Sequence, residues 1–231
     1  EIIRDFKIQP EIPRCTFVIQ TETMEASQIY HILQKAFPRN QGDFLVLMDS
    51  KTVALIKNIA EGMDEEELIQ MAAAIEETVL NETSLKIRVG IGRGKESLYN
   101  IEESYEEALN SIKVGSIYDL ESKVYMYDLL LLERFLYEVP LEISEKYYKS
   151  IFHEELKKIL NDEMIATIEK FFENSLNLSE TARQLYIHRN TLVYRLDKIQ
   201  KVLGLDLRNF HDAVTFKIMM MLERQRRGGC N

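Results

Sequence analysis

Residues 178–204 read LSETARQLYIHRNTLVYRLDKIQKVLG. Leu178, Ala182 and Leu185 recur at i, i+4 and i+7. Leu192, Leu196, Ile199 and Leu203 continue at i, i+4, i+7 and i+11. This spacing predicts two short amphipathic helices that pack on each other and on a third helix, separated by a break at IHRN. Ala182 is small enough to permit close helix approach. Ser179 is placed to cap the first helix through its hydroxyl. His188 stands where the second helix begins and Gly204 where it stops. Tyr186 falls in the intervening turn, a position often given to glycine because glycine tolerates positive φ.

The opposite face of the second helix carries a different chemistry. With Leu192 as reference and about 100° per residue, Asn190, Tyr194, Asp197, Lys198 and Lys201 point away from the apolar row. Arg189 and Thr191 flank the helix start, and Arg195 lies on the shoulder. A helix that enters the major groove turns its N-terminal outward residues to base edges and its flanks to phosphates. Asparagine can pair bidentately with adenine, arginine with guanine, and the threonine methyl can touch thymine. Lys198 and Lys201 suit phosphates. Asp197 is out of place on such a face unless it pairs with Lys201 or holds another cation in position. Two plain bundle helices with solvated charges would show a similar pattern.

The rest of the chain has the composition of an ordinary globular protein: 231 residues, 45% hydrophobic and 29% charged, with a net charge of −9. The charge is uneven. Residues 172–231 hold ten Lys/Arg against six Asp/Glu, a net +4, and residues 1–171 carry −13. A basic end on an acidic body is the asymmetry of a nucleic-acid module joined to something else. The apolar run YDLLLLERFL is interrupted by Asp128 and Glu133 and does not read as a membrane span. Cys15 and Cys230 lack CxxC partners, and the four histidines form no HxxxH pair. Free thiols in a reducing, cytoplasmic setting and no metal site are the expectation. The chain begins at Glu1 rather than Met, as a piece of a longer polypeptide would.

Residues 1–128 alternate strand and helix signals: CTFVIQT as a strand, EASQIYHILQKAF as a helix, and two apolar runs around DSK as a hairpin. DEEELIQMAAAIEETVL follows as a helix, LKIRVGIG as a strand, SLYNIEESYEEALNSIKVG as a helix closed by Gly115, and VYMYDL as a last strand. That order predicts a mixed sheet covered by helices. The acid runs DEEE and EESYEE read as solvated helix faces. Near Asp128 the periodicity turns wholly helical, so an all-α region is expected over 129–231. There Tyr147, Tyr148, Phe171, Phe172 and the MMML run at 219–222 serve packing or a dimer surface. The fold class is α+β.

The stretch LSETARQLYIHRNTLVYRLDKIQKVLGLDL, with IHRNTLVYRL at its centre, resembles the C-terminal helix-turn-helix of the PucR/CdaR family, the purine-catabolism and sugar-diacid transcription regulators. FHDAVTFKIMMMLE resembles the helix that closes that domain. The family also carries a bulky aromatic where Tyr186 lies. The resemblance implies a regulator that reads double-stranded operator DNA with the helix at 189–203. Arg189, Asn190, Thr191, Tyr194 and Arg195 would face DNA, with Lys198 and Lys201 beside them, and a homodimer would bind. GDFLVLMDS, KIRVGIGRG and ESYEEALNSIKVG resemble the central hairpin, penultimate strand and last helix of GGDEF domains. Such a domain, in degenerate form, precedes the DNA module in this family. A small-molecule effector would bind a sensing domain that lies before residue 1.

The alternative is a nucleotide-binding sensor or enzyme built on the GGDEF-like half. A working diguanylate cyclase needs a Gly-Gly turn that lets backbone approach the nucleotide, and acids that hold Mg²⁺. Here the turn is NQGDF, with Gly42 and Asp43 alone, and the first strand ends without an Asp. Glu22, the nearest acid, lies beyond it. Gly90, Gly92 and Gly94 do not follow the spacing of a phosphate-binding loop. No catalytic residue and no cofactor is therefore expected.

Overall fold

The computed structural model describes residues 9–23, 25–37, 42–119, 121–152 and 154–228. The chain divides into two compact units, Glu1–Phe135 and Leu136–Asn231. The division falls seven residues beyond the change of periodicity at Asp128, because Tyr127–Leu130 forms a 3₁₀ turn that packs on the last long helix of the first unit. Cys230 and most of the PRNQG break lie outside the described residues.

The first unit is a mixed five-stranded sheet in the order β2-β3-β1-β4-β5. Its strands are β1 (Arg14–Thr21), β2 (Phe44–Leu47), β3 (Thr52–Asn58), β4 (Ile87–Ile91) and β5 (Val124–Met126). All neighbours are antiparallel except β4 and β5. β1 is central, and Phe17 faces Leu55 on one side and Ile91 on the other. Alternation along β1 builds both faces of the sheet. Cys15, Phe17 and Ile19 join a core with α1 (Ala26–Ala36) and α2 (Glu65–Thr83) through Ile29, Leu33, Leu68, Ala72 and Ile75. Val18 packs on the other face with Ala108 and Ile112 of α3 (Ile101–Tyr118). The buried Ser104 of α3 accepts a hydrogen bond from the Thr16 N–H at 2.9 Å.

The acid run at 64–67 has a local task. The Asp64 side chain accepts from the Glu67 N–H at 2.9 Å while the Glu67 carboxylate accepts from the Asp64 N–H at 3.0 Å. This reciprocal cap satisfies two donors at the start of α2. The second acid run is not wholly solvated. Glu107 is buried on the sheet side of α3 and is ion-paired with Arg93 at 2.6 Å and Lys95 at 3.3 Å. Burial opposes its charge, but hydrogen bonds from Arg93 and Lys95 outweigh that and hold the carboxyl below its ordinary pKa.

Gly115 does not close α3, as its position near the end of the pattern suggests. The helix runs on to Tyr118, with Asp119 as the cap. The glycine is needed for proximity, since a Cβ there would lie 2.1 Å from Cδ1 of Tyr125. Gly90 on β4 and Gly92 just beyond it serve the same end, since a Cβ would meet the Ala108 and Ser104 carbonyl oxygens at 2.1 and 1.9 Å. The glycine-rich run is thus a seat for α3.

In the second unit, α4 (Leu131–Tyr137) crosses the division and leads to α5 (Leu141–Ile151), α6 (Glu154–Ile159), α7 (Asp162–Glu173), α8 (Leu178–Gln184), α9 (Arg189–Leu203) and α10 (Phe210–Gly228). One core joins Phe152, Leu156, Ile168, Phe171, Ala182, Leu192, Leu196, Ile199, Leu207 and Phe216. Met221 and Leu222 are buried, whereas Tyr147 is half exposed. No helix among the described residues is long and apolar enough to cross a membrane.

Candidate nucleic-acid interface

The α8–turn–α9 segment is built from complementary end signals. Asn177, not Ser179, caps α8: its side-chain oxygen accepts from the Ser179 and Glu180 N–H groups, each at 3.1 Å. Two residues earlier than expected, Asn177 has the extended backbone that lets a side chain turn back onto free donors. At the other end, the Tyr186 N–H donates to the Arg183 carbonyl at 3.2 Å and the Ile187 N–H to the Ala182 carbonyl at 3.0 Å. This pair of bonds is a Schellman closure with Tyr186 at the left-handed position, φ 54°. A bulky L-residue there costs on the order of 1–2 kcal/mol relative to ordinary backbone. Ile187 then turns in to pack against the core. His188 caps α9, its Nδ1 accepting from the Asn190 N–H at 3.2 Å. Gly204 ends the helix at φ 73°.

The two faces of α9 separate cleanly. Leu192, Leu196 and Ile199 are fully buried. Arg189, Asn190, Thr191, Tyr194, Asp197, Lys198 and Lys201 are exposed. Six of the seven expected DNA-facing residues therefore share one solvent-facing surface. Arg195 does not. Its side chain is only 17% exposed, and it turns back toward α7, donating to the Thr167 hydroxyl at 2.7 Å and pairing with Glu163. Its shoulder position on the wheel brings it within reach of the neighbouring helix, whose buried polar atoms and carboxylate capture it.

Asp197 is also accounted for. It pairs with Arg208 at 2.9 Å rather than with Lys201, and Arg208 is held in turn by Asp206 at 2.7 Å. Those acids raise the Arg208 pKa, chiefly through the hydrogen bond that Arg208 donates to Asp206. Among the described residues, no carboxylate is ion-paired with Arg189, Lys198 or Lys201. The face is thus positive, polar and free of an uncompensated acid. Sequence reasoning missed Arg208, which neutralises the one negative charge on it. The sign was available in the excess of acids close by, since Asp197 and Asp206 both need a cation.

The degenerate turn of the first unit is spent on the fold. The Asp43 carboxylate accepts from Lys57 Nζ at 2.8 Å and from the Asn58 N–H at 2.7 Å, and its side chain is 4% exposed. The Gly42 carbonyl accepts from Arg14 Nε at 2.9 Å. The fully buried Arg14 guanidinium also donates to the Ile12 and Gln9 carbonyls, at 3.0 and 3.1 Å. An acid already neutralised by lysine and a backbone already bonded to arginine do not fit a nucleotide–Mg²⁺ pair, which needs both unoccupied. Among the described residues, no cluster of three or more His, Cys, Asp or Glu could hold a metal ion.

Comparison with known proteins agrees with both halves. Residues 164–222 match the PucR C-terminal helix-turn-helix domain and residues 1–114 the GGDEF-like domain. The purine catabolism regulatory protein of Bacillus subtilis is 25% identical over 139 residues, covering 60% of this chain and 26% of that protein. The carbohydrate diacid regulator of Escherichia coli is 30% identical over 148 residues, covering 62% of this chain and 37% of the relative. The proline-responsive transcriptional activator PutR of Bacillus subtilis is 28% identical over 144 residues, covering 61% and 35%. The matched stretch thus spans only about a quarter to just over a third of these relatives. The chain thus carries a GGDEF-like domain followed by a PucR C-terminal helix-turn-helix domain.

Proposed function

We propose that this chain is the DNA-reading part of a promoter-binding regulator, and that α9 is its recognition helix. The observation that carries the reading is the exposed surface of Arg189, Asn190, Thr191, Tyr194, Lys198 and Lys201 opposite a fully buried apolar row. Arg189, Asn190 and Thr191 occupy the helix start and read base edges, while Lys198 and Lys201 contact phosphates. One recognition helix reads few base pairs, so specificity comes from a homodimer on two half-sites. The first unit performs no catalysis, since Asp43 and Gly42 are engaged within the fold. The small-molecule effector acts on a separate sensing domain. It belongs to the class of purine metabolites or sugar diacids named for the relatives.

Selection of bound duplexes from a random DNA library tests the reading, followed by affinity measurements on the enriched sequence across a range of salt. Recovery of a consensus with two half-sites is expected. If each subunit of a dimer contacts about four phosphates, log K falls against log salt with a slope of roughly −7. A flat salt response, or no enrichment, sinks the proposal. Titration with GTP and Mg²⁺ is expected to show no binding that Asp43→Ala removes.

A further inference from the structure

We propose that Tyr186, in the turn between α8 and α9, is itself a DNA contact: its phenolic hydroxyl donates a hydrogen bond to a backbone phosphate beside the groove that α9 enters. The proposal rests on the DNA-reading role of α9.

The first observation is that the side chain has no structural employment. Tyr186 is 97% exposed, the most exposed of the large apolar and aromatic side chains among the described residues. Among the described residues its hydroxyl has no hydrogen-bond partner and its ring no aromatic or cationic neighbour. The second is that the backbone would be better served by another residue. The Schellman closure of α8 is made by N–H and carbonyl groups alone, and its left-handed position, φ 54°, is most easily filled by glycine. A tyrosine is thus kept where it contributes nothing to packing and opposes the local conformational preference.

Position and chemistry supply the reason. Tyr186 precedes the cap His188 by two residues and Arg189 by three. The turn therefore lies at the end of α9 that presents base-reading side chains. In helix-turn-helix docking the first helix crosses the sugar–phosphate backbone while the second enters the groove, so the turn between them passes close to the strand. Tyrosine hydroxyls are regular donors to phosphate oxygens. The contact is neutral, which separates it from those of the lysines. A lysine–phosphate contact displaces a condensed counterion and adds to the salt slope, whereas a tyrosine hydrogen bond displaces none.

The test uses the whole chain, a mixed-sequence DNA duplex as probe, and Tyr186→Phe, Tyr186→Gly and Lys201→Ala. Affinity is measured at several salt concentrations, and Tm is measured without DNA. Tyr186→Phe is expected to leave Tm unchanged and weaken binding by about three- to tenfold, by the same factor at every salt concentration. Tyr186→Gly is expected to raise Tm and weaken binding at least as much. Lys201→Ala is expected to lower the salt slope by about one. Wild-type affinity in Tyr186→Phe, or a fall of Tm in Tyr186→Gly, overturns the assignment of Tyr186 and leaves the role of α9 standing. A wild-type chain that shows no salt-dependent binding removes both.

Discussion

Arg195, on α9, is paired with Glu163, on the first turn of α7, and donates at 2.7 Å to the buried Thr167 hydroxyl one turn further along. The Thr167 hydroxyl donates in turn to the Glu163 backbone carbonyl at 2.8 Å. The guanidinium therefore fixes the rotation of α9 against α7. An arginine that looks outward-facing on a helical wheel is instead held within the fold by a neighbouring helix.

Arg195→Ala should therefore destabilise the second unit and weaken binding to every DNA sequence alike, with no change in base preference. The Glu163 pair is open to solvent and is worth less than about 1 kcal/mol. Losing a charged donor to buried Thr167 costs about 1.5–3 kcal/mol. Urea denaturation of Arg195→Ala and Glu163→Gln separates the two, and equal effects would show that the ion pair dominates. A shift in preferred sequence for Arg195→Ala would return this residue to the base-reading set.

Asn190→Ala and Arg189→Ala should relax sequence preference, each losing about 1–3 kcal/mol of discrimination at one base position. Folding should survive, since both side chains are exposed and the His188 cap uses only the Asn190 backbone. Competition between matched and single-mismatch duplexes measures this. Uniform weakening without loss of preference would assign the two residues to phosphates.

His188→Ala should cost about 1 kcal/mol, the ordinary value of an N-cap, and His188→Asn should recover most of it. Thermal unfolding of the two variants checks the geometry. If Asn fails to rescue, the cap bond contributes less than its 3.2 Å length implies.

Gly115→Ala should destabilise the first unit by about 1–3 kcal/mol, although alanine is the better helix former by about 1 kcal/mol. The new methyl would strike the ring of Tyr125, whose hydroxyl is anchored on the Asp119 and Ser122 carbonyls at 2.8 and 2.6 Å. The ring has no free direction in which to yield. A stabilised variant in urea denaturation would show that the helix and β5 can separate at low cost.

Burial pushes the Cys15 thiol from 9.0 up to about 12. The folded state thus favours the protonated form. The stability this contributes is intact below about pH 9 and is lost as pH rises from there toward 12. Alkylation of Cys15 by iodoacetamide at mildly alkaline pH, followed by peptide mass spectrometry, should proceed only as fast as the first unit unfolds. Modification of the native protein at the rate of an exposed thiol would contradict the placement of this residue.

The helix-turn-helix was legible because its signal is local. The i, i+4 and i+7 rows, the small Ala182 and the terminal Gly204 are set within the segment itself; Ala182, Leu192, Leu196 and Ile199 of those rows are buried, and Leu178, Leu185 and Leu203 are half-buried. The β-rich half was legible as strands and helices for the same reason. What sequence could not supply were pairings fixed by the third dimension. Arg195 to Glu163, Asp197 to Arg208 and Asp43 to Lys57 join residues on different elements, and no periodicity names the partner. The glycines show the same limit. Gly115 has the look of a helix end, but its task is set by Tyr125, ten residues on and on another element.

The buried Arg14 has a mechanical consequence. Its guanidinium ties Gln9 and Ile12 to the segment that leads into β2 at Gly42, while the Pro10 and Pro13 carbonyls accept from Leu98 and Ile59 at 2.8 and 2.9 Å. Residues 9–13 are thus riveted at several points to separate parts of the sheet unit. A torque applied to the chain at Gln9 has no slack segment in which to dissipate. It arrives together at the entry to β2, at the end of β3 and at the loop ahead of α3, as rotation applied to a shaft keyed into its wheel.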